Sequence, residues 1–218
     1  MAAVLVISGV TCNRANAGAH DAVTLPSPTV DLPRAAKPGK STVVFAGGCF
    51  WGIQAVFQHV KGVADATSGY AGGSAENAKY DLVSGGDTGH AESVRVTFDP
   101  SQVTYGQLLK VFFSVAHDPT ELNHQGADEG TQYRSAVFYT DADQKRVTDA
   151  YVAQLGRAKV FPDRIVTEIV PLKAFYPAES YHQNYATLHP DNPYIMFNDA
   201  PKVVHLQKLL PDLYRGGN

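Results

Sequence analysis

Residues 42–52 decide the fold, and they read TVVFAGGCFWG. The apolar run 42–46 predicts a short buried strand, and Gly47 and Gly48 end it. From Cys49 onward, large apolar side chains recur at helical spacing until Gly62 stops the pattern. The stretch therefore predicts a strand, a glycine turn and a helix, with Cys49 at the start of that helix.

The pattern outward from this unit continues in the order β-α-β-β-α-β, followed by a further helix and strand. The predicted elements are strands over 62–73, 93–98, 135–139 and 165–170, helices that open at Thr104 and Asp141, and a C-terminal helix over 201–210. This order is typical of a split βαβ unit. We expect an α+β fold in one domain, a two-layer sandwich around a ferredoxin-like mixed sheet.

Composition excludes several classes of protein. The 218 residues include 18 basic and 21 acidic side chains, and the hydrophobic fraction of 44% is enough for a packed core. The near-neutral charge argues against nucleic acid as the main partner, which would require a basic stripe. Two cysteines, Cys12 and Cys49, are too few for a disulfide scaffold or a thiolate zinc site, and the histidines lack ligand spacing, so we expect no metal.

The N-terminal part of the chain reads as a leader and a linker. Residues 1–21 contain a short apolar run and then small residues, a signal-peptide pattern without its positively charged start. Residues 22–40 contain four prolines and predict a semi-rigid, solvated linker, so the folded domain is expected over 41–218. We expect a periplasmic or secreted protein, or a cytoplasmic one if the leader is not a functional signal.

Cys49 is the candidate nucleophile. Unpaired amides and the positive end of the helix dipole favour an anion at a strand-to-helix junction, so we expect a lowered thiol pKa. The alternative is an inert, buried cysteine that packs as a small hydrophobe. The adjacent Phe50 and Trp51 favour a pocket wall, although both could also be core residues.

Glu92 is the candidate acid. Period two places its carboxyl group on the same apolar face as Val94 and Val96, where desolvation would raise its pKa and keep it a proton donor. The alternative is a solvated glutamate at a frayed strand end. Two polar loops, around 80–90 and 125–134, are long enough to be functional.

Five motifs occur together in this order, and with them the chain resembles peptide methionine sulfoxide reductase A, an enzyme family that repairs one sulfoxide epimer. The motifs are GGCFWG at 47–52, GYAGG at 69–73, TGHAE at 88–92, the segment 125–135 and YHQ at 181–183. The resemblance covers residues 42–211 and implies reduction of the S-epimer of methionine sulfoxide, free or in peptides and proteins.

The resemblance also implies a role for each matching residue. Cys49 matches the nucleophile that becomes a sulfenic acid, and Glu92 matches the acid that protonates the departing oxygen. The other matches are Tyr80 and Tyr133 as hydroxyl donors to that oxygen, Phe50 and Trp51 as the cage for the substrate methyl group, and Asp128 near the substrate amide.

Two departures from the family pattern concern recycling. Ser84 stands where many members have a cysteine, and residues 187–218 contain none. We therefore expect a one-cysteine, monomeric form without a cofactor, in which an external thiol such as thioredoxin or glutaredoxin reduces Cys49 through a mixed disulfide. The rival hypothesis is that Cys12 resolves the sulfenic acid.

Two other functions stay open at this point. A thiol peroxidase would use the same cysteine against peroxide, without a need for Glu92 or the two aromatic residues. An exported binding module would use Trp51 and the tyrosines as an aromatic platform, and it would be indifferent to Cys49→Ser.

Overall fold

Strand β1 (Ser41–Ala46) lies inside a six-stranded sheet in the computed structural model, which describes residues 22–216. It pairs antiparallel with β3 (Ala91–Phe98) on one side and with β6 (Ala136–Tyr139) on the other. Beyond β3 follows β2 (Val63–Ala71), again antiparallel. Strand β3 therefore lies between β1 and β2, which are consecutive strands joined by helix α1 (Phe50–Gln58).

Two further strands extend the sheet at its edges. Strand β7 (Glu168–Pro171) pairs parallel with β6, and β8 (Phe175–Pro177) pairs antiparallel with β2. The sheet order is β7-β6-β1-β3-β2-β8, so the sheet is mixed. The prediction of an α+β fold is confirmed, whereas the ferredoxin-like comparison stays a prediction because the sheet continues beyond four strands. Strand β8 was missed, since three residues are too few to show alternation.

The remaining elements lie between these strands or follow them. They are α2 (Tyr80–Val83), α3 (Tyr105–Val111), β4 (His124–Gln125), β5 (Asp128–Glu129), α4 (Ala142–Ala158), α5 (Tyr185–Leu188) and α6 (Ala200–Leu209). Thr104 forms the predicted capping box with Gln107, and Asp141 caps α4. Helix α1 ends four residues before Gly62, because its chain turns at His59.

The core joins α1 to the centre of the sheet. The Phe45 ring of β1 stacks between Phe57 of α1, at 5.1 Å, and Phe112 after α3, at 4.6 Å. All three rings are fully buried. Burial of this apolar face fixes α1, and with it the residue at its N-terminal end, against β1 and β3.

The segment 22–40 differs from the expected solvated linker. It contains no helix or strand, but Leu25 is only 2% exposed and the Tyr151 hydroxyl donates to the Pro26 carbonyl at 2.8 Å. The Asp31 carboxylate accepts from the Gly106 amide at 2.7 Å, at the start of α3. Proline prevents regular structure here, but the side chains still dock on the domain.

The leader proposed for residues 1–21 lies outside the described residues. Between residues 22 and 216, no helix has the length and apolar content required to cross a membrane.

Candidate active site

Cys49 lies at the end of the glycine turn that joins β1 to α1. Gly48 has φ +92, and a Cβ atom there would lie 2.8 Å from the Gln125 side chain, so this position requires glycine. Cys49 is the N-cap residue of α1, at the positive end of the helix dipole. The residue is 7% exposed. The turn thus points the thiol into a pocket at the helix N-terminus.

The pocket is small, about 140 Å³, and every predicted site residue lines it. Its lining consists of Cys49, Phe50, Trp51, Tyr80, Glu92, Asp128, Tyr133 and Tyr194. The fold therefore brings together the seven predicted residues, which come from several separate segments of the sequence. The eighth, Tyr194, was not predicted.

Glu92, the second residue of β3, sits beside the cysteine. Its side chain is buried, and Oε2 accepts a hydrogen bond from the Phe50 amide at 3.1 Å. Burial raises the pKa of Glu92 to about 8, against the opposing effect of that amide. The carboxyl group is thus protonated near neutral pH, as the alternation in β3 predicts.

The expected low pKa of Cys49 is wrong for the substrate-free protein. Burial raises the pKa of the thiol well above its ordinary value, and the carboxyl groups of Glu92 and Asp199 act in the same direction. The Trp51 amide and the Lys202 ammonium oppose them with smaller effects. The helix N-terminus stabilises a thiolate, but the cost of desolvating the charged sulfur in this enclosed position is larger.

Trp51 is held in place by an aromatic cluster. Its ring stacks on Tyr185 of α5 at 3.8 Å and meets Tyr194 edge-on at 6.0 Å. The indole N–H donates to Nδ1 of the buried His182 at 3.2 Å, which requires that this ring nitrogen carry no proton. The wall of the pocket is thus rigid and apolar, with its polar atom turned to His182.

Tyr80 is anchored through its backbone. Its amide donates to Oε1 of Glu179 at 3.0 Å, and Oε2 of the same carboxylate accepts from the Tyr70 hydroxyl at 2.8 Å. Burial, reinforced by Glu92, raises the pKa of both Tyr80 and Tyr133. Both phenols therefore remain hydrogen-bond donors at neutral pH.

Asp128 and Tyr194 form the other side of the pocket. The Tyr194 hydroxyl donates to the Asp128 carboxylate in a short hydrogen bond. Burial raises the pKa of Tyr194, so this hydroxyl also keeps its proton. The bond joins the β4–β5 hairpin to the segment that precedes α6.

Sequence reasoning missed a second group of residues around the pocket. They are Glu179, Tyr185, Tyr194, Asp199 and Lys202. Lys202 lies on the predicted C-terminal helix, but no pattern marks it as part of the site. Short helices and turns carry the other four, so they show no periodic pattern. For residues 22–216, no group of three His, Cys, Asp or Glu side chains is arranged to hold a metal ion.

A buried thiol, a neutral carboxyl group and protonated phenols in one pocket are the groups of a cysteine-dependent enzyme. Comparison with known sequences identifies the family. Residues 41–212 match the peptide methionine sulfoxide reductase family, and the chain belongs to it. It is an enzyme of that family.

Curated relatives and solved structures agree with this assignment. The chain is 59% identical over 179 residues to peptide methionine sulfoxide reductase MsrA 2 of Mesorhizobium japonicum, covering 82% of this chain and 92% of the relative. The MsrA 2 of Synechocystis sp. is 50% identical, with 82% and 85% covered. Reduced Mxr1 from Saccharomyces cerevisiae superimposes with a TM-score of 0.63 at 32% identity, over 78% of this chain and 97% of that one.

Proposed function

We propose that this enzyme reduces the S-epimer of methionine sulfoxide, free or in peptides and proteins, to methionine. The observation that carries the proposal is that the buried Cys49 thiol and the protonated Glu92 line the same pocket of about 140 Å³. A sulfoxide is a poor electrophile until its oxygen is protonated, so a sulfur nucleophile needs a neutral acid beside it.

The reaction balances on these two residues. Glu92 gives its proton to the sulfoxide oxygen while the Cys49 sulfur attacks, and the thiol proton restores Glu92. In net terms the sulfur–oxygen bond of the substrate breaks, methionine leaves, and Cys49 becomes a sulfenic acid. The substrate sulfur gains two electrons and the cysteine sulfur loses two. Tyr80 and Tyr133 donate hydrogen bonds to the oxygen, which stabilises the charge that develops there.

The remaining lining residues select the substrate. Phe50 and Trp51 pack against the substrate methyl group, and the Tyr185–Trp51 stack keeps that wall fixed. Asp128 accepts a hydrogen bond from the substrate amide with the carboxylate that Tyr194 orients.

An external thiol completes the cycle. In the described part of the chain Cys49 is the sole cysteine, and Ser84 occupies the position of a second one. A thioredoxin-like or glutaredoxin-like reductant attacks the sulfenic acid, releases water and forms a mixed disulfide, which its second thiol then resolves. In this proposal the enzyme is a monomer that requires no metal. It is exported if the leader at residues 1–21 is a functional signal.

Single-turnover measurements test the proposal. The protein is incubated without reductant with each epimer of a methionine sulfoxide peptide, and methionine is counted per enzyme. We expect a plateau at one equivalent with the S-epimer, a trappable sulfenic acid on Cys49, and no product from Cys49→Ser. Cys12→Ser is the matched control and should behave like the wild type.

Each other result favours a rival. A plateau of two equivalents that Cys12→Ser reduces to one would make Cys12 the resolving residue. No methionine, together with rapid consumption of peroxide, would favour a thiol peroxidase. Retained ligand binding without turnover in both Cys49→Ser and the wild type would favour a binding module.

A further inference from the structure

A buried ion pair lies against the helix turn that carries Cys49. Asp199, just before α6, is fully buried, and its Oδ1 lies 3.2 Å from the Lys202 ammonium. Its Oδ2 is also buried and has no hydrogen-bond partner within the described structure. A carboxylate so enclosed depends on Lys202 for compensation, since a buried charge without a partner is costly.

Gly52 brings this pair close to the first turn of α1. A Cβ atom at Gly52 would lie 2.1 Å from Asp199 Oδ1 and 2.9 Å from Lys202 Nζ, so any side chain there would displace both charges. Gly52 is three residues after Cys49, the N-cap residue of α1, so both residues belong to the start of the same helix. The ion pair is therefore packed against the turn on which the nucleophile sits.

The charged and titratable groups around the sulfur come from every side of the pocket. They are Glu92 from β3, Asp199 and Lys202 from the C-terminal segment, Asp128 from β5, and the hydroxyls of Tyr80, Tyr133 and Tyr194. Glu92 is protonated near neutral pH and the phenols are neutral. Burial raises the pKa of Asp199 as well, but the Lys202 ammonium opposes that rise. Asp128 is paired with the Tyr194 hydroxyl on the other side of the pocket. Asp199 and Lys202 thus form the ion pair whose charges act on Cys49.

We propose that the Asp199–Lys202 ion pair, packed against the turn that carries Cys49, tunes the reactivity of the Cys49 sulfur. The Asp199 carboxylate adds to burial in keeping the resting sulfur a thiol, and Lys202 limits that effect. Both act through Cys49, so both are positioning residues, and the inference rests on the proposed role of Cys49 as nucleophile. One consequence is that the resting enzyme resists peroxide, because peroxide oxidises the thiolate and not the thiol.

Alkylation of Cys49 tests this inference without any sulfoxide. Full-length, substrate-free protein is treated with iodoacetamide across a pH series, and modification of the Cys49 peptide is followed by mass spectrometry. Asp199→Asn should lower the midpoint of reactivity, and Lys202→Met should raise it. A midpoint lowered by about 0.5 increases the thiolate fraction about threefold on the acid side.

Two further variants sharpen the test. Lys202→Arg keeps the charge and should keep the wild-type midpoint. Asp149→Asn makes the same substitution in the exposed Lys145–Asp149 pair of α4, at 2.6 Å, and should leave the midpoint unchanged. If Lys202→Met does not fold, the double variant Asp199→Asn/Lys202→Met takes its place in the test. Its midpoint of reactivity should lie between those of Asp199→Asn and the wild type.

Opposite shifts from the two charges are the result that supports the inference. An unchanged or raised midpoint in Asp199→Asn would overturn it. A shift of both single variants in the same direction would also overturn it, since loosened packing produces that result. If the midpoints shift as expected but no methionine forms in the wild type, the proposed function fails and the electrostatic inference stands.

Discussion

Two of the regions that build the pocket contribute in different ways. Residues 46–98 supply Cys49 and Glu92, the groups proposed to react, and Asp128 and Tyr133 come from a third region between the two. Residues 178–202 supply mainly their supports: Glu179 holds the Tyr80 backbone, and Asp199 packs against the turn of α1. We therefore expect changes in the first region to stop the reaction, and changes in the second region to alter substrate binding, stability or the reactivity of Cys49.

The largest effect is expected for Glu92→Gln. The amide keeps the shape of the side chain but cannot donate the proton, so the single-turnover rate should fall about 10²- to 10⁴-fold. In the wild type the contribution of Glu92 should be lost as the pH rises through about 8, because the carboxyl group then ionises. This alkaline loss should be absent from Glu92→Gln in rates measured at saturating S-epimer.

Glu76→Gln is the matched control, since Glu76 is exposed and outside the pocket. Its rate and pH profile should equal those of the wild type. A Glu92→Gln variant within about tenfold of the wild-type rate would remove Glu92 from the role of acid, because such a role is typically larger.

The same residue should give a pH-dependent stability. The pKa of Glu92 is about 8 in the folded protein and 4.5 as its ordinary value, so the folded state binds the proton more tightly. Its contribution to stability is present below the lower value and is lost as the pH rises toward the higher one. Between them, the free energy of unfolding should fall by up to about 1.4 kcal/mol per pH unit relative to Glu92→Gln.

Urea unfolding of both proteins at several pH values across that interval measures the difference. A wild-type curve parallel to that of Glu92→Gln would contradict the raised pKa, and with it the presence of a neutral acid at neutral pH.

The contrast between the regions also explains how much the sequence predicts. Glu92 could be placed inward because polar and apolar side chains alternate along 93–98 of β3, and Cys49 could be placed at a helix start because two glycines precede it. The pKa of Cys49 could not be predicted, because helix position favours the thiolate, whereas the opposing effects of burial, Glu92 and Asp199 depend on the tertiary fold. Local pattern thus predicts where a group sits, and packing decides how acidic it is.

Sequence periodicity does not identify the residues that support the reacting groups. Tyr185 lies on a helix of four residues and Tyr194 just before a π-helical turn, and neither length shows amphipathic spacing. The prolines of segment 22–40 predict a solvated linker because they exclude regular structure. Leu25 and Asp31 nevertheless dock the segment on the domain. Contacts between distant parts of the chain determine these features.

Glu179→Ala should separate support from chemistry. The change removes the acceptor of both the Tyr80 amide and the Tyr70 hydroxyl, and we expect a loss of about 2 kcal/mol in the free energy of unfolding. The substrate concentration for half-maximal rate should rise more than the limiting rate falls, because Tyr80 becomes less well placed while Cys49 and Glu92 are intact.

Glu179→Gln is its conservative partner. Its amide oxygen can accept from the Tyr80 N–H while its NH₂ group donates to Tyr70, so both activity and urea stability should return close to the wild type. A fall in limiting rate as large as that of Glu92→Gln would instead place Glu179 among the reacting groups. It would then contradict the distinction between the two regions.

The smallest effect is expected for Tyr194→Phe, which changes a residue of the second region that itself lines the pocket. Tyr194 lines the pocket, yet its hydroxyl donates to Asp128, which is only half-buried, so water can replace the lost donor. The loss should be about 1 kcal/mol, or about fivefold in kcat/KM for a peptide substrate. Because the proposed contact of Asp128 is with the substrate amide, the limiting rate should be unchanged. Tyr181→Phe, an exposed neighbour of His182, is the control, and a fall in the limiting rate of Tyr194→Phe alone would assign its hydroxyl to the sulfoxide oxygen instead of to Asp128.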